Sequence, residues 1–287
     1  MTETHVSVPR PAVGASLLTA ALAALASAVG LGVPGLYRDG PVLLPQLYGQ
    51  DLLTLTVAVP ALLVSLYYGT RGSLRGYVGW LGTTGYLLYT YASYAFMTAF
   101  NELYLVYVAL FGLTLFTLVG GVVRLRAPLV KVAFDDAVGP YVGFQLVAAA
   151  LVAAMWLVDV VPAMLSGTVP SVLADTGLPT PVIQSLDLAV LVPALAVSAS
   201  LLRRRRPWGY VFTGVLLVKL ATLGLAVLAM AVLQLRAGQP VALPVLLVVG
   251  TVSLLGLGLA ARFLLALGAT PEGASHADPS GAESTNP

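Results

Sequence analysis

Eight apolar runs, each close to the length of a bilayer crossing, follow one another along the chain at roughly 14–36, 51–68, 77–98, 103–123, 141–162, 184–202, 210–234 and 244–267. A helix needs about 20 mostly apolar residues to cross the hydrocarbon core. Lipid offers no partner to a backbone N–H or C=O, so such runs are confined to helices that pair those groups internally. Only 9% of residues are charged and 59% are hydrophobic, whereas soluble domains carry about 25% charged residues. The expected fold is therefore all-α, a polytopic membrane protein of eight transmembrane helices. Arg10 ahead of an Ala-rich first run has the outline of a secretory signal. The length of that run, and its place in the duplication described next, read instead as a retained span.

Sliding the sequence against itself aligns 53–78 with 186–211 without gaps at an offset of 133, with thirteen of 26 positions identical. The match brings Pro60 onto Pro193, Ser65 onto Ser198, Arg71 onto Arg204 and Gly76-Tyr77 onto Gly209-Tyr210. Shared Leu, Val and Ala arise by chance in apolar sequence; those pairings do not arise so readily. Val33-Pro34 matches Val161-Pro162 at a neighbouring offset, and Gly112 and Arg124 match Gly250 and Arg262 at another. The implied organisation is two four-helix repeats at 14–124 and 141–268. Residues 1–13 form an N-tail, 125–140 a linker, and 269–287 a polar tail expected to be disordered. With an even number of spans in each, the repeats run parallel, related by an axis along the membrane normal. Pro60 and Pro193 should each kink a helix near its middle.

Lysine and arginine orient the chain. With eight spans both tails share a face, and that face holds eleven of these residues, including the run Arg203 to Arg206. The opposite face holds only Arg38 and Arg236. Positive charge collects inside, so both termini are expected to be cytoplasmic in a multi-pass protein of the cell membrane. The arginine run sets topology and also suits anionic headgroups.

Few polar residues fall within the spans. Asp51, Glu102 and Asp187 lie near the outer starts of inward-running helices, where the dipole favours carboxylates. Asp159 sits near an outer helix C-terminus, where the dipole disfavours it, so it needs water or a partner. Lys219 falls halfway along the seventh span, where a lysine costs about 2.5–3.5 kcal/mol on insertion scales. Its side chain is too short to reach the surface, so it should face the bundle interior. Its mate in the duplication is Tyr86, the first of six tyrosines in 86–112. Tyr94 and Tyr104, with Tyr91 or Tyr107, fit an outer aromatic belt. Tyr86 and Tyr89 lie too deep for that and share a helix face.

The chain has no cysteine, and its two histidines, His5 and His276, lie in the tails. Thiolate, haem and histidine-metal chemistry therefore have no ligands within the spans, and neither a metal site nor a cofactor is expected. No motif for nucleotide binding, proteolysis or phosphoryl transfer occurs, and nothing points to nucleic acid. Lys219 in a seventh helix invites comparison with a retinal Schiff base, but no Asp lies one turn before it. The stretches "GQDLLTL", "YLLYTYASYAF" and "FNELYLVY" resemble a group of bacterial multi-pass membrane proteins. That resemblance implies membrane location and supplies no mechanism.

The expected function is non-enzymatic: binding or passing a small or amphiphilic ligand through a cavity between the repeats. Lys219, Tyr86 and Tyr89 would line it, with Asp187 or Asp159 as counter-charge. The alternatives are a membrane-embedded enzyme acting on a lipid or isoprenoid, and a structural or accessory subunit. The partners are the lipid bilayer and a small-molecule or lipid ligand, with a homo-oligomer left open.

Overall fold

A computed structural model describes residues 7–241 and 243–268. The expected disorder of 269–287, and residues 1–6 of the N-tail, lie outside the described residues. Every named element is a helix: α1 Arg10–Gly32, α2 Leu44–Thr70, α3 Leu74–Met97, α4 Tyr104–Arg124, α5 Ala127–Ala133, α6 Gly139–Ser166, α7 Ser171–Thr176, α8 Val182–Arg203, α9 Pro207–Arg236 and α10 Leu243–Ala266. Seven of these are long and apolar enough to cross a membrane. The protein is a multi-pass helical membrane protein.

The long helix outside those seven is α3. Its leucines and valine are interleaved with glycine, threonine and tyrosine, because 17 of its 24 residues are buried in protein. A helix wrapped by other helices does not need the uniform apolarity that lipid demands. Ser73 caps its N-terminus by accepting the Gly76 N–H at 3.2 Å. The start of α3 lies at the end of the bundle where Val8 N–H meets Gly69 O and Arg75 donates to Leu267 O. Just beyond its far end, the Ala99 N–H is held by Asp39 of the α1–α2 loop. It therefore runs the whole length of the bundle. By contrast α6 has five buried residues among 28 and lies at the periphery.

Helix α9 packs against α2, α3, α8 and α10 and forms the second axis of the core. Glycines allow the closest approaches. A Cβ at Gly49 of α2 would lie 2.6 Å from the Met230 backbone of α9, and one at Gly82 of α3 would strike the Val218 side chain. Trp80 donates to Ser16 Oγ at 2.9 Å and Tyr77 to Gly121 O at 2.9 Å, tying α3 to α1 and α4.

Prolines 60 and 193 act differently from simple kinks. Each is preceded by one wide turn of π-helix, Thr54–Ala58 in α2 and Asp187–Leu191 in α8. The Val59 N–H bonds to Thr54 O and the Val192 N–H to Asp187 O, five residues back in each case. Proline cannot donate and its ring crowds the carbonyl four residues earlier; widening the turn upstream relieves that clash. The two π turns begin 133 residues apart, as do the hairpin glycines Gly76 and Gly209. A Cβ at either glycine would collide with the backbone of the preceding helix, at Gly69 and Tyr68 or at Leu201 and Leu202.

The 125–140 segment is more ordered than a plain linker. It contains α5, packs on α9, and is pinned to the end of α10 by Gly268 N–H to Ala133 O at 2.8 Å and Asp135 N–H to Ala266 O at 3.0 Å. Phe134 sits among Tyr141, Tyr210 and Phe263. Beside it Asp136 accepts two bonds from Arg262 and one from Tyr141, which hold its carboxyl well below the usual carboxylate range.

Candidate functional site

Helices α2 and α8 begin earlier than their apolar runs suggest, at Leu44 and Val182. Asp51 and Asp187 are therefore not terminal residues. They sit one to two turns inside, beyond the first turn where the helix dipole acts, and both are buried, at 3% and 6% exposure. Each instead relies on hydroxyl or indole donors, and that is what the tyrosines of α3 are for. Tyr89 donates to Asp187 Oδ1 at 2.8 Å, and Trp156 of α6 donates its indole N–H to Asp187 Oδ2 at 2.8 Å. Tyr94 donates to Asp51 Oδ1 at 3.1 Å. Tyr86 accepts from Gln50 Nε2 at 2.5 Å, and the same amide reaches Thr90 at 3.0 Å.

Tyr86 and Tyr89 thus serve different helices. Three residues advance an α-helix by 300°, leaving the two side chains about 60° apart, enough to send one to α2 and the other to α8. The outer belt expected of Tyr91, Tyr94 and Tyr107 is absent. All three are buried and packed ring against ring, and only Tyr104, 38% exposed, keeps the interfacial position.

Lys219 faces the interior, 6% exposed. Its Nζ lies 4.1 Å from the centre of the Tyr89 ring and has no hydrogen-bond partner among the described residues. Asp187 is the carboxylate whose field reaches it. A cation over an aromatic face gains about 0.5–2 kcal/mol, which only partly replaces the hydrogen bonds a buried amine would make in water. Lys219, Tyr89 and Asp187 therefore come together, with Tyr86 one turn along α3. The outer wall of this locus is formed by Tyr89 and Trp156, both half-buried. Val218 O, the acceptor for Thr222 Oγ1, lies on the adjoining stretch of α9.

Asp159 is elsewhere. Its carboxylate accepts the backbone N–H groups of Ser171 at 3.0 Å and Val172 at 3.4 Å, tethering α7 to the end of α6. Nothing among the described residues brings it to Lys219. Glu102 pairs with Arg38 on the exposed surface. A cleft of about 130 Å³ opens between α2, α9 and α10, lined by Gln46, Leu228, Met230 and Gln234 among others. It does not reach Lys219.

Trp156, Gln50, Ser27 and Gly30 escape the sequence reading. Trp156 carries a readable signal: an indole N–H within an apolar run needs an acceptor. Gln50 lies just ahead of the 51–68 run and carries no such signal. Gly30 carries none. Among the described residues no three acidic or histidine side chains gather where a metal could be held. No protein-family model, curated protein or solved structure matches the chain.

Proposed function

We propose that the chain is an eight-span protein of two parallel four-helix units, 14–124 and 141–268, that binds and passes a small or amphiphilic ligand at the Lys219–Tyr89–Asp187 locus between them. The matched π turns, the matched hairpin glycines and the full-length run of α3 support the eight spans and the duplication. The lysine and arginine bias supports cytoplasmic termini. The chain has no native cysteine, so single cysteines report topology directly. Those at 72, 132 and 205 should be protected from a membrane-impermeant maleimide in right-side-out vesicles, and those at 42, 172 and 239 labelled. One reproducible inversion refutes the arrangement.

One observation carries the ligand reading: an enclosed amine with no hydrogen-bond partner among the described residues, stacked on a phenol that is itself bound to a carboxylate. Ionisable groups at membrane depth are costly and are retained mostly for function. Here Lys219 offers three donors and uses none. A ligand with an anionic head would take those donors, while Asp187 keeps Tyr89 and Trp156 as its own donors. Rotation of Tyr89 and Trp156 would open the way in.

The test uses purified protein in nanodiscs and a panel of alkyl carboxylates, alkyl phosphates, alkyl amines and uncharged alcohols. At least one anionic amphiphile should raise the unfolding temperature of the wild type, and Lys219→Met should abolish that rise while folding normally. A wild type indifferent to every anion, or a Lys219→Met variant that responds equally, overturns the reading. The burial of the Lys219 nitrogen against the Tyr89 ring favours a second reading, an accessory subunit in which the lysine is only packed against Tyr89. Indifference to the whole panel is the outcome it expects.

A further inference from the structure

The second buried carboxylate, Asp51, belongs to a site of its own. Five hydroxyl-bearing side chains from four segments surround it: Ser27 of α1, Tyr37 of the 33–43 loop, Tyr91 and Tyr94 of α3, and Tyr107 of α4. Tyr37 Oη lies 2.5 Å from Asp51 Oδ2; Tyr94 Oη lies 3.1 Å from Oδ1 and 3.3 Å from Leu47 O. Ser27 Oγ and Tyr107 Oη are buried and hold no hydrogen bond among the described residues. Gly30 leaves the space: a Cβ there would collide with both Asp51 Oδ2 and Tyr37 Oη.

Among the described residues no cation completes this cluster. None of α1, the 33–43 loop, α2, α3 or α4 turns a lysine, arginine or histidine toward Asp51, and none brings a second acid into contact with it. The titratable groups in contact with it are tyrosines, and Asp39 of the same loop reaches the shell at Tyr107. Arg38, next to Tyr37, turns outward to Glu102 and Phe100 O. Lys219 lies over the Tyr89 ring, beside the other carboxylate. A hydroxyl can donate to a carboxylate or accept from a carboxylic acid, so this shell accommodates either form. What it lacks is a counter-charge, and a buried anion without one is the costlier form.

We infer that Asp51 is a proton-binding site, separate from the Lys219 locus, whose bound proton holds the 33–43 loop closed through Tyr37. Tyr37 is the one member of the shell that does not sit on a helix. Its departure takes Tyr37 and the adjoining Leu36 out of the core but separates no helices, whereas Tyr91, Tyr94 and Tyr107 cannot leave without moving a helix. The loop that carries Tyr37 also buries Leu36 and Leu43, and its other polar ties are Arg38 to Glu102, Asp39 to the Ala99 N–H, and Gln239 to Pro41 O. When the loop lifts, water reaches Asp51 and the carboxylate is solvated. The closed form therefore binds more protons than the open one, and rising pH favours opening.

A nitroxide on Val42→Cys, in an otherwise cysteine-free chain in nanodiscs, reads loop mobility by its spectrum. The mobile fraction should rise at least tenfold between pH 5 and pH 9 in the wild-type background. In Asp51→Asn it should stay low at both pH values, since asparagine cannot ionise. In Tyr37→Phe it should be high at both. Asp39, also on this loop and with its carboxyl pushed upward by burial, is the competing titrating group. An Asp51→Asn protein that keeps the wild-type pH response, with Asp39→Asn losing it, overturns the assignment, as does a loop indifferent to pH. Infrared spectra of the wild type at pH 5 should carry a protonated-carboxyl band that Asp51→Asn removes; a band unchanged by that substitution overturns it equally.

Discussion

Gly49→Leu is expected to abolish folding, the largest effect of any single substitution considered. Its Cβ would stand 2.6 Å from both Cα and N of Met230 and 2.9 Å from the Ala229 carbonyl carbon. These are backbone atoms of a neighbouring helix, so no rotamer change makes room. Helices α2 and α9 would have to separate along the seam that joins the first half of the chain to the second. Hydrophobic pressure does not drive them back together in lipid, where close packing itself holds helices in contact. Even Gly49→Ala meets the same backbone and should cost about 1–3 kcal/mol or more, the range for overpacking a filled core. Gly112 and Gly120 have open space around the position of a Cβ, so Gly112→Leu is the matched control. Size-exclusion chromatography after mild solubilisation should give a monodisperse peak for the wild type and Gly112→Leu, and aggregate for Gly49→Leu. A monodisperse Gly49→Leu protein with wild-type thermal stability would show that the α2–α9 seam is not what holds the halves together.

That seam also shows where sequence reading stops. The apolar runs locate seven spanning helices to within several residues, because lipid imposes one requirement on every turn. The same logic misplaces groups that answer to protein instead of lipid. Leu44 to Gln50 is mixed in character, so the apolar pattern starts α2 at Asp51 and makes a buried carboxylate look like a helix-end one. Tyr91, Tyr94 and Tyr107 have the depth of an interfacial belt; whether a tyrosine at that depth faces headgroups or Asp51 depends on tertiary neighbours. Lys219 is legible because no surface is within reach of its side chain. Its association with Tyr89 is legible only as shared depth, since no local pattern says that α3 and α9 touch. Asp159 illustrates the converse. Its mismatch with the dipole is a true signal, and the remedy, two backbone N–H groups of α7, lies in a loop whose short helix the apolar pattern does not reveal. Gly49 in "LYGQDL" looks like any other membrane-helix glycine.

Asp187→Leu and Lys219→Met should move stability in opposite directions although the two side chains share one locus. Removing Asp187 strips the acceptor from the Tyr89 hydroxyl and the Trp156 indole N–H together, and takes away the carboxylate acting on Lys219. Each unsatisfied buried donor costs about 1–3 kcal/mol, and breaking a buried charge pair costs about 3–5 kcal/mol in soluble proteins. Side-chain hydrogen bonds within bilayers average only about 0.6 kcal/mol, which pulls the expected loss for Asp187→Leu down to about 2–4 kcal/mol. Lys219→Met removes an amine that makes no hydrogen bond among the described residues and leaves Asp187 with both of its donors. Methionine fills similar volume and keeps a favourable contact with the Tyr89 ring, so that variant should be as stable as the wild type or more so. The double variant discriminates further. With no lysine left to be stranded, Asp187→Leu should cost less in the Lys219→Met background, giving a coupling of about 0.5–3 kcal/mol. Reversible unfolding in bicelles measures all four corners of the cycle. A Lys219→Met variant as unstable as Asp187→Leu would mean that the ammonium stabilises the fold, and a coupling of zero would mean that Asp187 does not act on Lys219 at all. Either result removes the physical tension from which a ligand-binding role for this lysine is argued.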